Sequence, residues 1–246
     1  MCQHREIPSG NRPADLPRRN FLKLLGAATL GLSFAERLSA AEKGPPAKPQ
    51  NVLSPDAALE RLLKGNSRYL AGTMRQHDFA HERPALALGQ NPFAGILGCA
   101  DSRVAPEYAF DTGRGDLFVC RVAGNSANEN SIATLEYAVY ALATPLIMVL
   151  GHAKCGAVDA TIKQVKNGAS FPGHIPSLTG ALTPAVKAVL NQPGDLLENA
   201  IKQNVRLNAQ KLAAASLILS RAVEEKKLKV TGGFYNLDTG RVELVS

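Results

Sequence analysis

Two short motifs, each placed directly after an apolar run, restrict this chain more than any other feature of its sequence. Residues 98–103 read Gly-Cys-Ala-Asp-Ser-Arg and follow the apolar run 93–97, and residues 151–156 read Gly-His-Ala-Lys-Cys-Gly and follow the apolar run 146–150. A short apolar run that ends at a glycine is typical of a buried strand. Both motifs are therefore expected at the ends of buried strands.

These motifs contain four side chains that can bind a metal ion, namely Cys99, Asp101, His152 and Cys155. Zinc prefers thiolate and imidazole ligands in a tetrahedral arrangement. His152 and Cys155 lie three residues apart where a strand is expected to give way to a helix, so both side chains can face one point. Two cysteines and a histidine leave the fourth position to water or to Asp101, which is the pattern of a catalytic zinc site.

Strand and helix patterns alternate from residue 93 onward and predict an α/β fold. The predicted strands are 94–97, 117–122, 146–150 and 229–235, and the predicted helices are 132–142, 157–165 and a long helical region over 195–227. This alternation favours a mostly parallel sheet flanked by helices. Residues 230–245 contain turn residues at 238–240 and predict a hairpin whose last strand pairs antiparallel at the sheet edge. In open α/β sheets, sites form beyond the carboxyl ends of the strands, where Cys99 and His152 fall.

An amphipathic helix is predicted over residues 55–71, ahead of the first strand. Ser54 is a favourable N-cap and Pro55 a favourable first helical residue, and the leucines at 59, 62 and 63 share one face. The apolar face of this N-terminal helical arm must cover another surface, and a partner subunit is one option. The polar residues 76–83 that follow predict a loop leading to Pro84.

The first 41 residues are typical of an export signal. Arg18 and Arg19 begin a twin-arginine pattern that continues with Phe21 and Lys23, and an apolar run over 24–35 and small residues at 39–41 follow. The apolar run is too short for a comfortable membrane span. We therefore expect a twin-arginine signal peptide over 1–41, a Pro-rich linker over 42–52 and a folded domain over 53–246 that functions in the periplasm, with no stable membrane span after export.

The charge of the chain gives no support for nucleic-acid binding. Its net charge is +7, from 28 Lys and Arg against 21 Asp and Glu, and the first 41 residues carry six of the former and three of the latter. The remaining net charge of +4 is spread without a basic run, whereas nucleic-acid binding proteins concentrate such charge.

Taken together, the two motifs resemble the signature of the β-class carbonic anhydrases, C-x-D-S-R followed by H-x-x-C-G. The likeness continues at Gln90, at Phe118 in a Phe-Val-x-Arg strand, at the turn of Asn125, at Tyr137 and in the hairpin over 233–242. It covers roughly residue 53 to the end of the chain and implies the α/β fold of that family.

The resemblance implies one Zn²⁺ per subunit on Cys99, His152 and Cys155, with Asp101 as a fourth ligand only in a closed form. It implies that zinc-bound hydroxide attacks carbon dioxide to give bicarbonate and a proton, with Asp101 and Arg103 as a catalytic dyad. It also implies a homodimer or homotetramer. Substrate-binding roles are implied for five further residues, which are Gln90, Phe118, Ala123, Tyr137 and Gly156.

Two other functions are compatible with the same zinc ligands. One is the hydrolysis of COS or CS₂, which are linear molecules similar to carbon dioxide, and access to the pocket rather than the ligands would separate it from hydration. The other is a non-catalytic zinc-binding or anion-binding protein in which Asp101 stays on the metal. The presence of Arg103 and Gln90 argues against the second, because a purely structural site needs neither residue.

Overall fold

The computed structural model describes residues 53–245; the predicted signal peptide over 1–41 and the linker over 42–52 lie outside this range. The helices are α1 Pro55–Leu70, α2 Phe79–Ala87, α3 Pro106–Ala109, α4 Glu129–Leu142, α5 Gly156–Asn167, α6 Ile175–Val189, α7 Leu196–Ala213 and α8 Leu217–Glu224, with a 3₁₀ turn at Ala123–Asn125. The strands are β1 Ala94–Gly98, β2 Leu117–Arg121, β3 Leu146–His152, β4 Lys229–Tyr235 and β5 Val242–Val245.

The strands form one sheet of five in the order β2-β1-β3-β4-β5. All neighbouring strands are parallel except β4 and β5, which pair antiparallel at one edge. The structure thus confirms the predicted α/β fold with its parallel sheet and its antiparallel C-terminal edge strand. Within the described range, no helix is long and apolar enough to cross a membrane.

The sheet is the middle layer of the domain, because alternate residues of its central strand enter two separate apolar cores. Leu146, Met148 and Leu150 of β3 pack in the core that also contains α1. Ile147 and Val149 of the same strand face the other core, which the sheet forms with α4 to α8. Burial on both faces explains why this strand is an apolar run rather than an alternating pattern.

The N-terminal arm, α1, packs against its own chain. Ser54 caps it by accepting a hydrogen bond from Ala57 N, and Ala58 and Leu62 are fully buried in the core beneath the sheet. Asn66 anchors the helix from the same face, since its side chain donates to Ala109 O and Gly240 O and accepts from Val242 N at 2.8–2.9 Å. The buried face of the arm therefore covers the sheet of its own chain.

Three helical segments differ from the sequence-based expectation. The prediction of a loop over 76–83 is wrong from Phe79 onward, where α2 begins. Asp78 is the N-cap of this helix and accepts hydrogen bonds from Ala80 N and His81 N. The helical region predicted over 195–227 is divided into α7 and α8, with Ser216 as the new N-cap. α6 lies over 175–189, where the sequence pattern predicts neither a helix nor a strand.

Candidate metal centre

The carboxyl ends of two neighbouring strands place the three predicted ligands together. Cys99 follows the last residue of β1, His152 is the last residue of β3, and Cys155 is the N-cap of α5. Their ligating atoms all lie within 4.8 Å of one another, and the three residues are 6%, 1% and 1% exposed. Such a cluster of two thiols and an imidazole is the donor set that zinc prefers.

The orientation of His152 fits a bound metal ion. Its Nδ1 lies 2.8 Å from Ala153 O and donates to this carbonyl, which leaves Nε2 as the atom that faces the two thiols. Nε2 is buried and has no hydrogen-bond partner among the described residues. A buried nitrogen without a partner is unfavourable, and a metal ion at the cluster would satisfy it in the tautomer that the Nδ1 contact fixes.

The electrostatics of the cluster favour a negatively charged Cys99. The contact with the Cys155 side chain, supported by the nearby His152 imidazole and by the N–H of Gly124, lowers the pKa of Cys99 to about 4, although burial acts in the opposite direction. That contact with Cys99, together with burial, raises the pKa of Cys155. Burial opposes the charged form of His152, but its contact with Cys99, the carbonyl of Ala153 and the charge of Asp101 together outweigh this effect and raise the pKa of the imidazole. A divalent cation would favour the thiolate form of both cysteines.

Asp101 and Arg103 form a bidentate ion pair beside the cluster. Arg103 Nε lies 2.9 Å from Asp101 Oδ1 and Arg103 Nη2 lies 2.6 Å from Asp101 Oδ2. These hydrogen bonds hold the pKa of Asp101 well below its usual range, even though partial burial acts against the charge. Asp101 Oδ2 is 3.8 Å from His152 Nε2, so the carboxylate borders the place where a metal would bind.

The backbone that carries these residues is held by contacts that the sequence analysis missed. Arg121, the last residue of β2, donates from Nε to Cys99 O at 2.8 Å and from Nη2 to Asp101 O at 2.6 Å. Arg103 Nη2 also lies 3.3 Å from Lys154 O, which ties the two motifs to each other. In the sequence, Arg121 is only the last residue of the Phe-Val-x-Arg strand motif, and nothing local to that strand shows what its side chain reaches.

The five predicted substrate-binding residues occupy different parts of the molecule. Ala123 begins the 3₁₀ turn next to Cys99, and Gly156 is the first residue of α5 beside Cys155. Phe118 and Tyr137 contact each other at the β2 edge of the sheet, with ring centroids 6.0 Å apart, and Tyr137 is 54% exposed. Gln90 is exposed and precedes the amino end of β1, whereas Cys99 follows its carboxyl end.

Fold and site together define a class of protein. Three buried ligands leave an open position on a zinc ion, and a charged carboxylate held by an arginine lies next to that position. This arrangement is that of a zinc enzyme and not of a structural zinc site, which is closed by four protein ligands.

Comparison with known proteins identifies the family. The family model described as carbonic anhydrase matches residues 94–242. Carbonic anhydrase 2 of Mycobacterium tuberculosis is 37% identical over 193 residues, which cover 78% of this chain and 93% of that protein. The solved structure of the β-carbonic anhydrase CcaA matches with a TM-score of 0.60 at 28% identity, over 76% of this chain and 86% of that one.

A solved tetrameric β-carbonic anhydrase from Sordaria macrospora matches equally well, with a TM-score of 0.60 at 25% identity over 76% of this chain and 96% of that one. The family match covers more than half of the chain, and the relatives align over most of their own length. The chain therefore belongs to the carbonic anhydrase family, in its β class.

Proposed function

We infer that this chain is a zinc-dependent lyase that interconverts carbon dioxide and bicarbonate. Its family membership supports this function. The observation that carries it is the charged Asp101 carboxylate, held by Arg103 next to the cluster of Cys99, His152 and Cys155. A protein that only stored or bound zinc would gain nothing from such a pair, whereas a hydration reaction needs an acceptor for a hydrogen of the attacking group.

Each residue of the centre can be given a role in hydration. When bound, zinc supplies hydroxide near neutral pH by lowering the pKa of its water. We assign Asp101 as the acceptor that orients the nucleophile through Oδ2, the oxygen nearest His152 Nε2. Because Arg103 holds the pKa of Asp101 low, the carboxylate stays charged. It therefore accepts a hydrogen bond from the nucleophile and orients it, and does not itself remain protonated.

Arg103 also acts on the position of the Asp101 carboxylate. It binds both oxygens, and turning the carboxylate towards the metal would break at least one of these charge-assisted hydrogen bonds. The arrangement therefore favours the open form, in which Asp101 is not a ligand. Next to Cys155, Gly156 offers the N-terminus of α5 to the anionic product, and apart from its own neighbours in the chain nothing lies within 4 Å of the place that a Cβ would take.

We further propose that the enzyme is a homodimer or homotetramer in which Gln90 acts on the centre of another subunit. β1 has five residues, which span about 16 Å, and Gln90 and Cys99 lie beyond its opposite ends. Contact between Gln90 and a zinc centre is therefore easier across a subunit boundary than within one chain. The exposed ring of Tyr137, packed on Phe118 at the open edge of the sheet, supplies an apolar surface for such contact.

We also propose that the protein is exported in folded form to the periplasm. Support comes from the sequence alone, in the Arg18-Arg19 pair, the short apolar run and the small residues at 39–41. Zinc bound before export would protect thiolate ligands from an oxidising compartment.

The proposed reaction is tested by stopped-flow carbon dioxide hydration with protein of measured zinc content. Asp101→Asn keeps the size of the side chain but removes the charged acceptor, and we expect kcat/KM to fall roughly 100-fold or more. The rate of the unmodified enzyme should rise towards alkaline pH, because two thiolates neutralise the charge of zinc and its water is acidified less.

Asp238→Asn is the matched control. Asp238 is an exposed carboxylate that pairs at 2.7 Å with Lys154, a residue between the ligands His152 and Cys155. Asp238 itself makes no hydrogen bond or ion pair with Asp101 or with the three ligands. Its replacement should leave the rate within about two-fold, since exposed ion pairs contribute little. Absence of hydration at any pH in fully zinc-loaded protein would contradict the proposed function.

A further inference from the structure

The Cys99 ligand receives a hydrogen bond from a turn whose backbone conformation is tightly restricted. Gly124 N donates to Cys99 Sγ at 3.3 Å. Gly124 has φ +75°, and a Cβ at this residue would lie 2.7 Å from Leu182 Cδ1. The positive φ and the close approach of Leu182 favour glycine at this residue, and the direction of its N–H group depends on the contacts that hold the turn.

A polar stripe on α7 holds that turn. Asn204, Asn208 and Lys211 lie four and three residues apart and thus share one face of the helix. Asn204 Nδ2 donates to Gly124 O at 2.8 Å, Asn208 Oδ1 accepts from Ala127 N at 2.6 Å, and Lys211 Nζ donates to Ala127 O at 2.6 Å. Both ends of the segment 124–127 are therefore fixed by side chains of a single helix.

The two asparagines are buried, with 2% and 7% of their surface exposed, among apolar residues of the same helix. Asn208 Nδ2 donates to Asn204 O and Asn204 Oδ1, both at 2.8 Å, which fixes the amide orientation of Asn204 and directs its Nδ2 towards Gly124. A buried polar network that is satisfied in this way has one preferred arrangement. The position of the Gly124 backbone follows from it.

We propose that Asn204 is a positioning residue of the metal centre, which acts through Gly124 on the thiolate of Cys99. A hydrogen bond to a metal-bound thiolate withdraws electron density from sulfur and fixes the ligand in place, as outer contacts do in other metal sites. Loss of the Asn204 contact releases the Gly124 backbone and weakens its N–H···S bond. This inference rests on zinc occupying the centre that the proposed function requires.

The test replaces Asn204 and measures the metal rather than the reaction alone. Asn204→Leu keeps the approximate volume and removes the donor to Gly124 O. In cobalt-substituted protein, we expect the sulfur-to-cobalt charge-transfer band to move to lower energy, because the thiolate is less stabilised. We also expect chelator competition to show zinc binding weakened about 10- to 100-fold.

Asn66→Leu is the matched control, since Asn66 is also a buried asparagine that bonds to backbone groups, but those groups lie in α3 and the β4–β5 turn. This control should lower thermal stability while leaving the band position and the zinc affinity unchanged. If Asn204→Leu does not fold, Asn204→Asp keeps the shape and loses the donor, and the same band shift is expected from it.

An unchanged band in a folded, fully cobalt-loaded Asn204 variant would overturn the proposal, and so would an equal shift in Asn66→Leu. Failure of the proposed function has a different signature, because the unmodified protein would then bind metal without hydrating carbon dioxide or would bind no metal at all.

Discussion

Asp101 and Asp111 are each paired with an arginine, but in different surroundings. Asp101 borders the metal centre with 17% of its side chain exposed, whereas the side chain of Asp111 has no exposed surface. Burial works against the charge of Asp111, but hydrogen bonds from Arg68 and from Arg75 N outweigh it, and its pKa is lowered. The Asp101 carboxylate is thus accessible at the metal centre. The Asp111 carboxylate is enclosed and links Arg68 of α1 to the segment after α3.

The charge on Asp111 is expected to stabilise the folded protein in a pH-dependent way. Asp111→Asn fits the positive φ of 44° at this residue but removes the charge and one of the two acceptor oxygens, which should lower the free energy of unfolding by about 2 kcal/mol near neutral pH. The folded-state pKa lies below the ordinary value of 3.8, so the contribution is complete above pH 3.8 and is lost as pH falls through the lowered pKa.

Denaturant unfolding of both proteins from pH 7 to pH 2 measures this difference. Because both proteins release zinc as the ligands are protonated, their difference isolates Asp111. A gap between the two curves that widened on acidification would be incompatible with the lowered pKa.

For individual residues, the local sequence predicts the metal ligands better than it predicts the side chains that hold the backbone around them. Cys99, His152 and Cys155 were identified because each lies within a few residues of an expected strand end. Arg121 and Asn204 bond to backbone carbonyls of segments 22 and 80 residues away, and any long donor side chain could in principle do the same. For the contact of Asn204 with Gly124, the one indicative sequence feature is a pair of asparagines four residues apart on an otherwise apolar helix face.

At the scale of elements, strands were predicted more accurately than helices. Each predicted strand matches an observed one to within two residues at its ends, because buried parallel strands are continuous apolar runs. α2 and α6 were missed because each contains an internal proline, Pro84 and Pro184, which normally argues against a helix. α6 forms nonetheless because Leu182, Val186 and Val189 bury a helical stripe in the core, and this packing outweighs local propensity.

The docking of α1 gives a prediction of its own. A Cβ at Gly65 would lie 1.8 Å from Phe110 O, which is a backbone atom and cannot move aside. Gly65→Ala should therefore displace α1 and lower the free energy of unfolding by about 3 kcal/mol. Thermal and denaturant unfolding measure the loss.

Gly180→Ala controls for the glycine-to-alanine change itself. Gly180 lies inside α6 with no atom within 4 Å of the place that its Cβ would take. Alanine there should stabilise the protein by about 0.5–1 kcal/mol. Equal effects of the two substitutions would show that the close approach of α1 to Phe110 does not restrict the helix.

At the scale of the whole molecule, the metal centre depends on segments distant in sequence. Cys99 follows β1, His152 and Cys155 surround the end of β3, and the turn that bonds to Cys99 is held by α7. These parts meet only when the sheet and its covering helices have formed, so the zinc site is preorganised by folding and binding adds to the stability of the fold. The proposed export of the folded chain is consistent with this, because a site formed by folding can be loaded with metal before export.

This dependence makes the twin-arginine proposal testable through metal content. Replacing Arg18 and Arg19 by lysine keeps the charge of residues 1–41 but removes the pair that the folded-protein export pathway reads. Expressed in a Gram-negative host, the variant should accumulate as uncleaved, zinc-loaded protein in the cytoplasm, whereas the unmodified chain should be recovered from the periplasm without residues 1–41.

Arg12→Lys is the control, since it changes an arginine outside the pair and should not alter export. Cell fractionation with mass spectrometry and zinc analysis reports all three forms, and periplasmic recovery of the double variant would show that another route carries the protein.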